Sequence, residues 1–168
     1  MVGGAAGGVR WGMLRPTTLG LILVAGAATG CTDDGEAGLP LVASTVTGTY
    51  AGDDFVAVNG FVVMDQGRYL IGLGDGPLTC ASATAPAPPA GTNAGISLAT
   101  LDPGSYGSVF VNLYHNVGSF SGHGSNSGTV TITASTATSV TATVDWSDTD
   151  TDGKMYRLSG GFEVSRCP

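Results

Sequence analysis

Val140-Thr141-Ala142-Thr143-Val144-Asp145-Trp146 alternates apolar and polar side chains without a break. Successive side chains of a β-strand point to opposite faces, so the apolar members of this segment share one face and the polar members share the other. Thr129-Val130-Thr131-Ile132-Thr133 alternates in the same way. After a loop, four further apolar residues keep a common parity: Tyr156, Leu158, Phe162 and Val164. The C-terminal third therefore predicts antiparallel strands that bury one face and expose the other.

The same period of two extends towards the N-terminus as far as residue 42. The strands predicted there are 46–50, 55–58 continued by 61–64, 68–73, 96–101 and 107–115. Residues 81–93, rich in Pro and Ala, predict an exposed connector, and residues 118–128, rich in Gly and Ser, predict a flexible polar loop. No segment after residue 42 has the period of a helix. The sequence thus predicts an all-β domain over residues 42–168, an antiparallel β-sandwich or small barrel of about eight strands.

The charge of the chain excludes one class of partner. Its 168 residues include 13 Asp and Glu but six Lys and Arg, which gives a net charge of −7 at pH 7. An acidic surface without a basic patch repels the phosphates of nucleic acids and the headgroups of anionic lipids. We therefore expect no nucleic-acid partner.

An apolar run, residues 19–30, follows two arginines and ends at Cys31. The run is shorter than the roughly 20 apolar residues that a membrane-spanning helix needs, and small residues precede the cysteine. This arrangement resembles the signal of bacterial lipoproteins, in which a lipobox cysteine receives lipid after a charged lead and an apolar stretch. Thr29 and Gly30 fit the lipobox, whereas Ala28 stands where the family most often has Leu. An uncleaved anchor helix and a plain secretory signal are the alternatives.

The resemblance implies a location for the protein. Residues 1–30 would form the signal peptide, with Met13 as an alternative start. Cys31 would carry the lipid, palmitate included, and residues 31–41 would form an acidic tether. The mature protein would then be lipid-anchored to a membrane of the cell envelope, outside the cytoplasm. Thr32, rather than Asp, follows the lipidated cysteine, which in this family favours the outer membrane over retention in the inner one.

The chain has three cysteines, an odd number for an exported protein. If Cys31 carries lipid, as the resemblance implies, Cys80 and Cys167 remain as a pair able to form one disulfide in an oxidising envelope. Such a bridge would close a long loop and hold the C-terminus. A metal or redox site is the alternative, although neither cysteine has a CxxC partner.

Residues 148–153 read Asp-Thr-Asp-Thr-Asp-Gly. Carboxylates at alternate positions can converge on a hard cation, and the glycine permits a sharp bend, so the segment resembles the front half of an EF-hand-type calcium loop. The twelfth position, where that family has a bidentate Glu, is Ser159, and no helix is predicted to flank the loop. The candidate calcium ligands are Asp148, Asp150 and Asp152, with Asp145 or Glu163 as an additional ligand. A solvated hairpin turn is the alternative.

Other chemistry-bearing residues give weaker signals. His123, within the predicted polar loop, is expected to be solvated, and His115 is expected to cap a strand at the rim. A metal site that uses both histidines lacks further ligands nearby. The chain has no G-x-S-x-G elbow, so no catalytic residue is assigned. A small envelope hydrolase, using Asp53 with Asp54 or the acidic loop, stays an alternative.

Phe110 and Tyr114 share a strand face opposite Val109, Val111 and Leu113. If that face is exposed, it would suit stacking on a sugar ring or a protein partner; if a second sheet covers it, the two aromatic residues belong to the core.

The ending, residues 158–167, resembles the C-terminal hairpins of uncharacterised bacterial envelope lipoproteins, which implies a fold style and a location but no activity. The leading hypothesis is a non-enzymatic envelope module that binds a protein or glycan partner or serves structurally. A calcium-dependent adhesion module is the second hypothesis. No cofactor other than calcium is expected.

Overall fold

The structure is a computed structural model that describes Leu41, residues 43–83, Ala85 and residues 89–168. The predictions for the signal peptide, for Cys31 and for the tether up to residue 40 lie outside these residues. Within the described part of the chain, no helix is long and apolar enough to cross a membrane.

The described residues form ten strands and one short 3-10 helix. The strands are β1 (Ala43–Ser44), β2 (Thr47–Tyr50), β3 (Asp53–Val56), β4 (Asn59–Asp65), β5 (Arg68–Gly74), β6 (Gly91–Leu98), β7 (Gly104–Val117), β8 (Ser119–Ser135), β9 (Ser139–Thr149) and β10 (Met155–Arg166). The 3-10 helix spans Cys80–Ala83. The turn predicted between β4 and β5 is confirmed, with Gln66 and Gly67 both at positive φ.

Seven of the strands close into a barrel. Its order is β10-β4-β5-β6-β7-β8-β9, and β9 pairs again with β10. β1 and β2 lie along the edge of β10 that faces away from β9, and β3 pairs with β2. All pairings are antiparallel except that of β10 with β4.

This architecture confirms the predicted all-β class and, of its two alternatives, the barrel. The strands number ten within the described residues rather than about eight. One reason is that residues 55–64, predicted as one interrupted strand, belong to the separate strands β3 and β4, which do not pair with each other.

The barrel interior holds the hydrophobic core. The predicted face of β9 is confirmed, because all four of its apolar residues are buried: Val140, Ala142, Val144 and Trp146. β10 contributes Tyr156, Leu158, Phe162 and Val164 to the same cluster. Burial of one such aliphatic or aromatic side chain stabilises a fold by roughly 1.5–3 kcal/mol. Burial of the apolar residues of β9 and β10 therefore favours closure of the barrel.

A bulge in β8 changes which of its side chains point into the barrel. The pairs Val109–Gly128 and Val111–Ser125 lie next to each other in the ladder, so β8 has one more residue than β7 between them. Odd-numbered residues of β8 up to Ser125 therefore face inwards, whereas beyond this bulge Gly128, Val130 and Ile132 face inwards. A second irregularity follows between Ile132 and Ala134.

The prediction of a flexible polar loop over residues 118–128 is wrong. All of them except Gly118 belong to β8, and the ladder with β7 extends to the pair Val117–Ser119. Small polar residues and glycine have low β-propensity, and the bulge interrupts the alternation. The segment is a strand because β7 supplies its hydrogen-bond partners, which local composition does not display.

A second layer covers part of the outer face of the barrel. Phe61 and Leu78 are buried but lie outside the interior cluster. The Phe61 ring packs on Gly72 of β5, and Leu78 packs beside Gly74 on the same strand. Residues 75–83, the covering segment, therefore fold back over the barrel wall. The exposed connector predicted over residues 81–93 is wrong at its end, because residues 91–93 belong to β6 and both Thr92 and Asn93 are buried.

The predicted disulfide between Cys80 and Cys167 is confirmed. It joins residues 87 apart in sequence, with their Cα atoms at 5.5 Å. The backbone N–H of Cys167 also donates to the carbonyl of Val62 at 2.8 Å. The bridge thus fastens the covering segment to the end of β10.

We expect a Cys80→Ser/Cys167→Ser variant to lose about 2–4 kcal/mol of unfolding free energy, because the unfolded chain regains the entropy of a long loop. Denaturant unfolding followed by tryptophan fluorescence measures the loss. A reducing agent should shift the parent protein to the midpoint of the variant and leave the variant unchanged. Equal midpoints for the reduced and oxidised parent protein would contradict the stabilising role.

Candidate functional site

A groove of about 340 Å³ lies on the outer face of the barrel. Gly72 of β5 and Gly95 of β6 lie in its floor, together with Asn112 of β7. Ser82 and Ala83 of the 3-10 helix line one side, and Tyr114 and Phe120 line the other. The groove therefore lies between the covering segment and the β7–β8 hairpin.

The floor is low because glycines adjoin one another or Asn112 across neighbouring strands. Gly72 pairs with Gly95, Gly95 with Asn112, and Asn112 with Gly124. A Cβ atom on Gly72 would come within 2.7 Å of the Phe61 ring, and one on Gly95 would collide with Oδ1 of Asn112. Glycine at these positions lets the Phe61 ring and the Asn112 amide lie flat on the sheet.

Two aromatic rings line the groove on the hairpin side. The centroids of Tyr114 and Phe120 are 5.9 Å apart, and the rings are tilted by 44°. Phe120 is 61% exposed, whereas Tyr114 is half-buried, and this burial raises the pKa of its hydroxyl. Within the described part of the chain the Tyr114 hydroxyl has no hydrogen-bond partner.

The prediction that Phe110 and Tyr114 share one face of β7 is confirmed, and the alternative that they belong to the core is wrong. Val109, Val111 and Leu113 point into the barrel, so the two aromatic residues lie outside it. Phe110 is 41% exposed and does not line the groove. Phe120 was missed from the sequence because its segment was taken for a loop.

A second cluster lies on the inner face of the β7–β8 hairpin. Nδ1 of His115 lies 3.0 Å from Oγ1 of Thr92, and the His115 ring stacks on Tyr50 with centroids 5.7 Å apart. The Tyr50 hydroxyl donates to Ser121 of β8 at 2.7 Å. These contacts hold the hairpin against β2 and are consistent with the predicted rim position of His115.

The expectation that His123 is solvated is wrong. Its Nε2 lies 3.0 Å from Oδ2 of Asp148, and its ring stacks on Tyr156 with centroids 4.3 Å apart. The side chain is 22% exposed. The Ser125 hydroxyl, which accepts the indole N–H of Trp146 at 3.0 Å, also hydrogen-bonds Asp148. The bulge in β8 turns His123 inwards, so its position could not be deduced without the register.

The acidic loop uses its carboxylates to shape a turn. Oδ1 of Asp150 accepts the backbone N–H groups of Asp152 and Lys154, both at 2.9 Å, and Oδ2 accepts the Tyr156 hydroxyl at 3.1 Å. These donors, with Lys154 foremost, lower the pKa of Asp150. The Ser125 hydroxyl, the backbone N–H of Thr149 and His123 lower the pKa of Asp148.

The lowered pKa values of Asp148 and Asp150 have the same consequence for the stability of the fold. A carboxyl group whose pKa is lower in the folded than in the unfolded chain stabilises the fold above its ordinary pKa of about 3.9. The contribution is lost as the pH falls through the folded value.

Among the described residues, no three His, Cys, Asp or Glu side chains are grouped so as to hold a metal ion. Calcium binding by Asp148, Asp150 and Asp152 stays a prediction. If it occurs, a hundredfold excess over Kd should add about 2.7 kcal/mol to the stability of the fold. A thermal melt in EDTA and in calcium tests this, with Asp152→Asn as the variant that should abolish the shift.

The geometry favours no catalytic arrangement in the groove. The Ser125 hydroxyl contacts the carboxylate of Asp148, and both lie in the cluster on the inner face of the hairpin. Asp53 and Asp54 are exposed on β3. No residue is assigned to catalysis.

Tyr156 offers a test of the polar cluster. Burial and the hydrogen bond to Asp150 raise the pKa of Tyr156 to about 12. The unfolded value is about 10, so its contribution to stability is complete below pH 10 and is lost as the pH rises towards 12.

We expect Tyr156→Phe to remove one late step from the phenolate absorbance titration of the five tyrosines. The same variant should flatten the fall in unfolding free energy between about pH 10 and 12. Tyr106→Phe, which removes an exposed hydroxyl bonded to the carbonyl of Asp102, is the control and should leave that step in place. Because burial also raises the pKa of Tyr114, the comparison is with the parent protein, and a Tyr156→Phe titration that loses no late step would refute the assignment.

Comparison with known proteins does not assign the chain to a family. No protein-family model, no curated protein and no solved structure matches the chain. The groove and the polar cluster are therefore the features from which its function is inferred.

Proposed function

We propose that this protein is a non-enzymatic binding module of the bacterial cell envelope, anchored by lipid on Cys31, which presents the groove beside Tyr114 and Phe120 to a partner. The observation that carries the proposal is the groove itself. It combines exposed aromatic surface, an amide and hydroxyl groups in a concave site on a disulfide-fastened barrel. Concave sites with apolar walls and a few convergent polar groups are typical of ligand binding.

The groove residues suit binding better than catalysis. None of the residues that line it is Asp, Glu, His, Lys, Arg or Cys. The sequence of residues 81–90, which runs beside the groove, likewise contains no ionisable side chain. General acid–base or nucleophilic chemistry needs such groups close to the substrate. Stacking, apolar contact and neutral hydrogen bonds are the interactions that this surface can offer.

The two sides of the groove are held in place by contacts of their own. On one side, the Ser82 hydroxyl accepts the backbone N–H of Thr79 at 3.0 Å. The Asn93 amide donates to the carbonyl of Pro89 at 3.2 Å. On the other side, β7 pairs with both β6 and β8 across Tyr114. A site that is already ordered loses less conformational entropy when a partner binds.

The anchor follows from the resemblance of residues 19–31 to a lipoprotein signal. A tether of about ten residues after Cys31 would hold the barrel outside the membrane. The net charge of −7 disfavours close contact with anionic lipids, which leaves the barrel surface free for a partner.

We expect the protein made in bacteria to incorporate a palmitate analogue and to sediment with membranes, because Cys31 carries lipid. Cys31→Ala should lose the label. Ser44→Ala, a substitution outside the signal, is the matched control and should keep it. Label retained by Cys31→Ala would place the lipid elsewhere, and an unlabelled parent protein would refute the anchor.

We expect the oxidised domain, residues 33–168, to co-sediment with envelopes isolated from the producing bacterium through its groove. This part contains all ten strands and the disulfide. Tyr114→Ala and Phe120→Ala should each reduce the bound fraction severalfold, because a buried aromatic anchor contributes most of the contact energy of such a site.

Phe110→Ala is the control for this measurement, because Phe110 lies on the same face of β7 but outside the groove. It should bind as the parent domain does. Equal losses in all three variants, or in none, would remove the groove from the proposed function.

A further inference from the structure

We infer that the occupant of the groove is an uncharged sugar ring of an envelope glycan. This inference rests on the proposed function and specifies its ligand. Three properties of the described residues support it: the absence of charge, the pairing of aromatic and amide groups, and the low, flat floor.

The charge of the site selects against acidic and basic ligands. The groove carries no ionisable group apart from the Tyr114 hydroxyl, while the protein as a whole is acidic. A cationic ligand would find no carboxylate in the groove to pair with. An anionic ligand, such as a uronic acid or a phosphorylated glycan, would meet no cation there and a repulsive field. A neutral ligand fits this surface.

The side chains match the two sides of a pyranose ring. Such a ring has a face of C–H groups and a rim of hydroxyl groups. Tyr114 and Phe120 offer aromatic surface for the C–H face. The Asn112 amide has both donors and an acceptor for adjacent hydroxyl groups, and the hydroxyl groups of Ser82 and Tyr114 add further partners.

The glycine floor sets how closely a ring can approach. The Phe61 ring lies over Gly72 and the Asn112 amide lies over Gly95, so the floor is low and a flat ring can stack on it between the aromatic side and the covering segment. The volume of about 340 Å³ lies at the small end of the roughly 300–1,000 Å³ that ligand sites have. A sugar ring therefore suits the site better than a bulky protein side-chain cluster.

The test uses the full mature protein, purified in a zwitterionic detergent because a sugar-headed detergent would compete. Calorimetry and saturation-transfer NMR measure binding of neutral oligosaccharides of glucose, galactose, mannose and N-acetylglucosamine. An oligosaccharide of glucuronic acid serves as the charged counterpart. We expect at least one neutral oligosaccharide to bind and the charged one to bind at least tenfold more weakly.

The variants separate the contributions of the groove residues. Tyr114→Ala should weaken binding about tenfold, which corresponds to about 1.4 kcal/mol, and Asn112→Ala about fivefold through loss of neutral hydrogen bonds. Tyr114→Phe keeps the ring and should stay within about threefold of the parent protein. Phe110→Ala should bind as the parent protein does. Thermal melts confirm that each variant is folded.

The outcomes distinguish this inference from the proposed function. Neutral saccharide binding that Tyr114→Ala abolishes and Phe110→Ala preserves supports the inference. Binding that Tyr114→Ala leaves intact overturns it. If no neutral saccharide binds but envelope sedimentation still depends on Tyr114, the ligand belongs to another class, so the inference fails while the proposed function stands. If neither depends on Tyr114, both fail.

Discussion

Closure of the barrel depends on β10, which pairs along both of its edges. One edge pairs with β9 from Met155 to Ser165. The other edge pairs in turn with β2, β1 and β4. The change of partner occurs around Gly160, whose φ is +131° and at which a Cβ atom would collide with the carbonyl of Thr45. A side chain there would push the N-terminal strands away from β10.

Closure determines what the outer surface can do. Because most apolar residues of the barrel strands are used in the interior, the outer face is built mainly from the alternate positions. Many of these are glycine or small polar residues, with a few larger apolar ones such as Phe61, Leu70 and Tyr114. Where glycines adjoin across β5 and β6, this face is low enough for a second layer to pack against it. The groove is the space between that layer and the β7–β8 hairpin, so the site is a product of the barrel wall rather than of a loop.

Much of the fold could be predicted from the sequence, because its strongest signal is local. The alternation from Val140 to Trp146 identifies β9 and its buried face, and the turn at Gln66 and Gly67 identifies a hairpin. Between Ser119 and Gly128 the same reasoning fails, because a strand of Gly and Ser owes its conformation to the neighbour with which it pairs. The bulge beside Ser125 also reverses which residues face inwards, and no local pattern shows a bulge.

The candidate site was predictable only in part for the same reason. Phe110 and Tyr114 are identifiable as partners on one strand face, since two-residue periodicity needs no tertiary information. Which of them lines a groove depends on Phe120, on the glycine floor and on the covering segment. These meet only through the register of five strands, β4 to β8. The disulfide was predictable because the number of cysteines limits the pairings available once Cys31 is assigned to lipid.

The two faces of the β7–β8 hairpin connect the polar cluster to the groove. On the inner face, His115 and His123 pack on Tyr50 and Tyr156. On the outer face, Tyr114 and Phe120 line the groove. A ribbon of Gly and Ser has little apolar surface with which to fix its own position, so the aromatic and hydrogen-bond contacts on the inner face set where the aromatic rings on the outer face lie. The histidines therefore matter for the groove as positioning residues, although neither one lines it.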